Sequence, residues 1–197
     1  TRFHTDDLFA SAAKQIHTER LGDSFRGTAL FNPLTVLTLL EFLVGQLGDQ
    51  TLLTNSSMYA DKVGELVAAT GLSIRHCASG PGTEPHTGRG YLCEDFDLVT
   101  DGRLQTLLAS DYASRKLDLP HRPSGSVYAI APGNTPKDQL LQEIERGALI
   151  GRLSMGRPSA NGDFSGVIKN SFLIENGVQG AALKDTMMTG NIREMLL

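Results

Sequence analysis

Two dipeptides, Asp101-Gly102 and Asn176-Gly177, each stand between apolar-rich runs, and that arrangement constrains the fold more than any other feature of the chain. An Asx-Gly pair supplies the two positive φ angles that a tight primed turn needs. The first pair therefore predicts a hairpin with strands near 95–100 and 103–108. The second predicts another, at the end of a run from Phe164 to Glu175 that itself follows a turn at Asn161-Gly162. With 21 glycines and no tryptophan in 197 residues, the chain has many turns and short apolar runs, which favours strands.

Helical signals are fewer. Thr5 can cap a helix starting at Asp6, with Leu8, Phe9, Ala12, Ala13 and Ile16 on one face and Gly22 as a stop. Pro33 opens a second helix through about Leu47. Its Leu34, Leu37, Leu40, Val44 and Leu47 line one side and Val36, Leu39 and Leu43 much of the rest, so it reads as buried. Ser110 to Leu117 reads as a short helix. Thr135-Pro136-Lys137-Asp138 starts another, with Leu140, Leu141 and Ile144 inward and Gly147 at its end. Further strands are expected at Gly27–Phe31, Leu72–Ile74, Val127–Ala131 and Ala148–Leu153, and the end, 181–197, reads as a strand followed by a short helical tail. No repeat and no linker divides the chain, so one α+β domain follows.

Charge and composition narrow the function. Hydrophobic residues at 40% and charged residues at 20% describe a globular chain rather than a disordered one. The net charge is −4, and the 18 basic residues are scattered, which argues against a nucleic-acid surface and against an anionic membrane. The most apolar stretch, Leu34 to Leu47, is interrupted by Glu41 and too short to span a bilayer. The chain opens on Thr1, and no signal sequence is read there. Cys77 and Cys93 are expected as reduced thiols in a cytoplasmic protein.

Enzyme signatures are few. The chain has no Walker loop, G-x-G-x-x-G, G-x-S-x-G or S-x-x-K. No two of its histidines, His4, His17, His76, His86 and His121, have the spacing that converges on one ion from a single helix. His76, Cys77, His86 and Cys93 are all possible zinc ligands, but adjacent His76 and Cys77 would face opposite sides of a strand and a Gly/Pro loop follows them. Ordinary surface histidines and semi-buried thiols are the plainer reading. Ser56-Ser57 has no base near it and suits a capping role. Asp95 and Asp97 share a strand face, where acid–base work or simple solvation are both open. The backbone of Asn161-Gly162-Asp163 could cradle a ligand or merely turn. Lys169-Asn170, inside a strand, could bind an extended peptide or face water.

The stretch from Asn161, NGDFSGVIKNSFLIENG, is followed by Thr186-Met187-Met188-Thr189-Gly190-Asn191-Ile192 and a Met195-Leu196 end. Together they resemble the C-terminal signature of the TldD/PmbA family, also known as modulators of DNA gyrase and as peptide-maturation proteases. Asp101–Thr106 with Asp111–Leu117, and Pro132-Gly133-Asn134 before the Leu140–Gly147 helix, are similar to the family too, so the likeness runs from about Gly27 to Leu196. It implies a curved antiparallel, barrel-like sheet with a few packed helices at 27–197, after a remnant linker helix at 1–26. Family members usually carry a further N-terminal domain, which this sequence lacks.

The resemblance also bears on chemistry. TldD-type members resemble zinc peptidases with H-E-x-x-x-H on a buried helix, two histidines holding zinc and the glutamate acting as base. On the matching helix here, Glu41 and Gln46 take the histidine positions and Phe42 that of the glutamate. Phenylalanine accepts no proton, so hydrolysis should be lost, with no metal or cofactor in this chain and zinc expected only in a TldD-type partner. The resemblance thus implies a non-catalytic, PmbA/TldE-like subunit or fragment. It would pair with itself or with a TldD-type zinc peptidase and help enclose unfolded peptide. Asn161, Gly162, Asp163, Phe164, Ser165, Lys169 and Asn170 are the candidate peptide contacts. Two other readings stand beside this one: an active metallopeptidase with unconventional ligands, and a scaffold or interaction module without any role in hydrolysis.

Overall fold

The computed structural model describes residues 5–197, and the side chains of all of these except 6–8. In chain order the elements begin with α1 (Thr5–Ala13), β1 (Thr18–Glu19), β2 (Thr28–Phe31), α2 (Pro33–Gln46), α3 (Asp49–Leu53), β3 (Ile74–His76), β4 (Phe96–Thr100), β5 (Arg103–Leu104) and α4 (Asp111–Leu117). There follow β6 (Tyr128–Ile130), α5 (Lys137–Gln142), β7 (Arg146–Ile150), β8 (Arg152–Met155), β9 (Asp163–Lys169), β10 (Ser171–Glu175), β11 (Val178–Leu183), β12 (Thr186–Asn191) and α6 (Ile192–Leu196). The fold is mixed α+β. The described strands form three sheets instead of one, and none closes into a barrel. No helix among the described residues is long and apolar enough to cross a membrane.

The residues fall into two compact units, each assembled from three separate segments of chain. Among the described residues, unit 1 comprises 5–39, 134–157 and 164–189, and unit 2 comprises 40–133, 158–163 and 190–197.

Unit 1 holds a five-stranded sheet in the order β1-β11-β10-β7-β2. It is mixed rather than purely antiparallel, because β1 runs parallel to β11 and β2 parallel to β7. Ile144, Leu149, Phe172, Ile174 and Ala182 form its apolar core, with Leu30 and Leu141 against them. The β10–β11 hairpin turns at Asn176 and Gly177 with φ of +50° and +75°, the primed geometry expected from the dipeptide.

The run from Phe164 to Glu175 is not one strand. It breaks at Asn170, whose φ is +51°, and the expected strand from Ala148 to Leu153 breaks opposite it at Gly151. Leu149 pairs with Phe172 on one side of the break and Arg152 with Lys169 on the other. The register is therefore continuous across it, with Gly151 facing Asn170. One long antiparallel ribbon is thus bent so that its halves join different sheets: β7 and β10 the five-stranded one, β8 and β9 a three-stranded one in the order β12-β9-β8. The bend requires glycine, since a Cβ on residue 151 would lie 2.0 Å from the Asn170 carbonyl oxygen. Buried Ser171 stitches the corner. Its hydroxyl donates to the Lys169 carbonyl (2.9 Å) and accepts from the Gly151 N–H (3.2 Å).

Unit 2 is built on a four-stranded antiparallel sheet in the order β5-β4-β3-β6. Asp101 (φ +46°) and Gly102 (φ +76°) make the β4–β5 turn as the sequence predicts. His76 lies at the centre and is fully buried. The Gly125 N–H donates to its Nε2 (2.8 Å), so Nδ1 carries the proton and donates to the Glu94 carbonyl (2.8 Å). Phe96 stacks on the ring at 4.7 Å and Tyr128 meets it edge-on at 5.5 Å. The expectation of a surface histidine at this position is thus wrong, because the ring is a structural clasp across two loops.

The helices depart further from expectation than the turns do. Pro33 does open α2, as expected of proline at the first helical position. Its Leu34 and Leu37 are nevertheless 78% and 48% exposed, so the helix is not buried all round. In and just after α1, Phe9 and Ile16 are exposed instead of facing inward, and the Leu8 side chain lies outside the described residues. In α5 no side chain caps the N-terminus, and the next strand has already begun at Arg146.

The bend gives a test. Gly151→Ala should destabilise the chain by about 1–3 kcal/mol, the usual cost of forcing an atom into filled space. Gly45→Ala, in α2 with nothing within 4 Å of its Cβ position, should stabilise it by about 0.5–1 kcal/mol through helix propensity. Urea unfolding midpoints of the two variants should move in opposite directions.

Candidate functional site

The three positions of α2 that the resemblance aligns with a zinc motif differ in burial and in partners. Glu41 is exposed and Phe42 half-buried, while Gln46 is buried with its Oε1 accepting the Met58 N–H (3.1 Å). Among the described residues no three His, Cys, Asp or Glu side chains are grouped so as to hold a metal ion. In the His76–Cys93 stretch, both ring nitrogens of His76 are occupied, and Cys77 and Cys93 are free thiols. Burial, with the Glu84 charge second, pushes the Cys93 thiol up from its ordinary value, which makes it a poor thiolate.

The other sequence candidates resolve into local structure. Arg75 bridges Asp97 (3.4 Å) and Asp95 (3.8 Å), and Asp95 also accepts the Ala78 N–H (2.7 Å), so this carboxylate pair orders a loop. Ser57 accepts the Tyr59 N–H, the capping role expected of the serine pair.

Asn161, Gly162 and Asp163 do form a turn, and its polar groups are bonded within unit 2. Asn161 Nδ2 donates to Asp163 Oδ2 (2.8 Å), and Asn191 Nδ2 donates to Asp163 Oδ1 (2.8 Å) and to the Asn161 carbonyl (2.9 Å). The Gly162 carbonyl accepts the Ile192 N–H (2.9 Å). These bonds, Asn191 first and Asn161 second, outweigh a raising effect of burial and hold the Asp163 carboxyl below its ordinary value. Phe164 is buried, while Ser165 and Lys169 share the exposed face of β9. As the central strand, β9 has both backbone edges paired, so these residues can offer side chains but not a free strand edge.

Asn170 stands apart from them. It lines a cavity of about 340 Å³ in unit 1, at the bend of the ribbon, with Lys14, Asn32, Lys137, Phe172 and Gln179. Two ammonium groups and three amides face this space, and no described lining residue is acidic. Such a wall suits the carbonyl and carboxylate oxygens of an extended peptide. The sequence pointed to Asn170 but not to Lys14, Asn32, Lys137, Phe172 and Gln179, which come from five other elements and loops. A second cavity, in unit 2, has no sequence motif, since its walls are drawn from positions between Asp49 and Ser124.

The Asp163 network gives a pH test. A depressed carboxylate adds stability above its unfolded value, and that stability is lost as pH falls through the lower folded value. Asn191→Ala should raise the Asp163 pKa in a carboxyl-detected NMR titration and shrink the acid-dependent part of stability. It should also cost about 1 kcal/mol at neutral pH, because Asn191 caps α6 by accepting the Glu194 N–H.

Similar proteins are known. Metalloprotease PmbA of Escherichia coli O157:H7 is 26% identical over 160 residues, which is 78% of this chain and 35% of that protein. A metalloprotease of Methanothermobacter thermautotrophicus is 26% identical over 162 residues, 74% of this chain and 35% of that protein. The chain thus spans about a third of the length of these curated relatives. A crystal structure of a candidate modulator of DNA gyrase from Bacteroides thetaiotaomicron superposes with a TM-score of 0.87 at 22% identity, over 97% of this chain and 44% of that one. TldE from Thermococcus kodakarensis superposes with a TM-score of 0.73 at 19% identity, over 85% of this chain and 42% of that one. At such identities the superpositions establish the fold. The profile of the PmbA/TldA metallopeptidase C-terminal domain matches residues 24–197, and the chain therefore belongs to the PmbA/TldD family and carries its C-terminal domain.

Proposed function

We propose that this chain is a non-catalytic subunit of a TldD/PmbA-type metallopeptidase assembly acting on unfolded peptides, and that it pairs with itself or with a zinc-bearing TldD-type relative in the cytoplasm. The observation that carries the reading is the chemistry of α2. An exposed carboxylate, an aromatic ring and an amide already bonded to Met58 stand at the positions of two ligands and a base. An amide oxygen is a weak zinc ligand beside an imidazole, and a phenyl ring moves no proton. Hydrolysis therefore falls to the partner, and this chain contributes surface.

Two features support that surface role. Leu34 and Leu37 form an exposed apolar stripe on α2, which a partner can cover. The Asn170 cavity, with its lysines and amides, supplies donors for peptide oxygens. The likeness to TldE, a family member by name, adds to the pairing argument. The edges of the sheets, β2 and β8 among them, offer backbone groups to which an extended peptide can add as a strand.

The experiment mixes the chain with a TldD-type relative and follows cleavage of an unfolded peptide. Cleavage should exceed that of the relative alone, and Asn170→Gly should reduce the gain several-fold. Glycine keeps the left-handed backbone and removes only the amide. A chain that stays monomeric at micromolar concentration and leaves the rate unchanged would overturn the reading.

Metal content gives a second check. The purified chain should retain no stoichiometric zinc after dialysis, whereas the relative should. One equivalent of zinc retained by this chain, measured by elemental analysis, would favour a peptidase with unconventional ligands instead.

A further inference from the structure

Unit 2 contains a cavity of about 350 Å³, a size that accommodates a side chain or a small ligand. Charged groups of both signs face it, and their partners are unevenly distributed. The two carboxylates are already engaged. Asp49 accepts the Ser110 N–H (2.8 Å) through one oxygen and the Ser110 hydroxyl through the other. Asp111 accepts from Arg115 Nη2 (2.7 Å) and lies 3.9 Å from Arg89 Nη1. Burial alone would push the Asp111 carboxyl up. The polar groups of Tyr91 and Arg115, with the charges of Arg115 and His121, outweigh burial and hold it below its ordinary value.

Arg122 is in the opposite position. It is half-buried, its Nε–H donates to Thr106 Oγ1 (3.1 Å), and its guanidinium lies 5.6 Å from the Phe96 ring centroid. Among the described residues no carboxylate lies within 4.0 Å of it. A guanidinium keeps its charge and has five N–H donors. One is taken by Thr106, and the four on the Nη atoms have no acceptor among the described residues. A half-buried guanidinium takes its remaining partners from water or from an anion, and its planar fork matches a carboxylate. Arg89 lines the same cavity. Its 3.9 Å approach to Asp111 is loose enough for a ligand oxygen to compete, and Leu108 and Tyr112 add apolar surface beside it.

We propose that this cavity is a carboxylate-binding site, with Arg122 as anchor and Arg89 as second contact, and that it receives a peptide carboxylate, either the C-terminus or an Asp or Glu side chain. The carboxylate site rests on the cavity itself. Only its assignment to peptide rests on the function proposed above. The site would let this subunit select among unfolded peptides, favouring those with an acidic side chain or a free C-terminus.

The test is an NMR titration of the full 197-residue chain, ¹⁵N-labelled, with N-acetylglycine, with neutral N-acetylglycinamide and with inorganic phosphate. N-acetylglycine should shift the amides of residues 87–91, 121, 122 and 124, and the neutral analogue should not. Arg89→Gln and Arg122→Lys should each weaken N-acetylglycine binding at least about fivefold, the scale of one lost charge-assisted hydrogen bond. Lysine at 122 keeps the charge and a donor for Thr106, and Arg89 is largely exposed, so an unchanged far-field spectrum serves as the folding control.

Equal shifts from the neutral analogue, or unchanged affinity in both variants, would overturn the site. Phosphate binding as tightly as N-acetylglycine would overturn the peptide assignment. Unfolded acidic peptides are then compared with their amidated, acid-free counterparts. Should N-acetylglycine bind as stated while no peptide does, the carboxylate site stands and the proposed function falls. Should peptides bind regardless of charge, with Asn170→Gly weakening them and the arginine variants having no effect, the site falls and the proposed function stands.

Discussion

The contact between Gly151 and Asn170 organises unit 1. An antiparallel ribbon normally twists smoothly, and its pairs of side chains keep both strands at a fixed separation. Here two backbones approach so closely that a single carbon on residue 151 would overlap the Asn170 carbonyl. Asn170 answers with a left-handed conformation, which asparagine tolerates better than most residues because its side chain can compensate locally. The two residues face one another in an unbroken register, so the bend is made without a bulge or a slip. The consequence is architectural and also functional. The ribbon's two halves enter different sheets, and the corner between them leaves the space into which Asn170 looks.

Unit 2 depends on a different device, a buried histidine used as a two-sided hydrogen-bond bridge. The Gly125 N–H and the Glu94 carbonyl lie in irregular segments that have no ladder of their own, and buried backbone groups need partners. His76 supplies one acceptor and one donor in a fixed plane, and Phe96 and Tyr128 hold that plane. Metal binding would need one of those nitrogens, and taking it would strand a backbone group. The arrangement that makes His76 a good clasp therefore makes it a poor ligand. Arg75, bridging Asp95 and Asp97 beside it, performs the same service for the neighbouring loop at the surface, where ion pairs contribute little energy but do fix geometry.

The contrast between these features explains what the sequence could disclose. The turns at Asp101-Gly102 and Asn176-Gly177 were readable because the required φ angles are a property of two adjacent residues. The breaks at Gly151 and Asn170 were not, because each lies in an apolar run that satisfies the strand pattern, and only their mutual approach forbids continuation. The Asn161 turn was readable as a turn, but its closure by Asn191 joins residues thirty positions apart and is invisible to local reasoning. The reading of α2 as wholly buried failed for a related reason. Hydrophobic composition reports how much of a helix can be covered, whereas exposure of Leu34 and Leu37 depends on what else is present. The motif at Asn161–Gly177 carried more information about the family than any of these patterns, whereas Asn170 was singled out only as a polar residue inside a strand. The Arg122 cavity has no such motif.

The exposed face of α2 also restricts what can cover it in the proposed assembly. Leu34 and Leu37 lie toward the start of the helix, and Glu41 continues the same stripe one turn further on. Burying a leucine side chain is worth roughly 1.5–3 kcal/mol, so the two together can drive association. Burying Glu41 without a partner would cost more than either leucine returns, since an uncompensated carboxylate loses its hydration. A covering surface must therefore be apolar over Leu34 and Leu37, and near Glu41 it must either present a cation or leave the carboxylate in water. A wholly apolar surface satisfies the first condition and fails the second. The carboxylate thus sets which partner fits while the leucines set how tightly it binds, a division of labour common at specific interfaces.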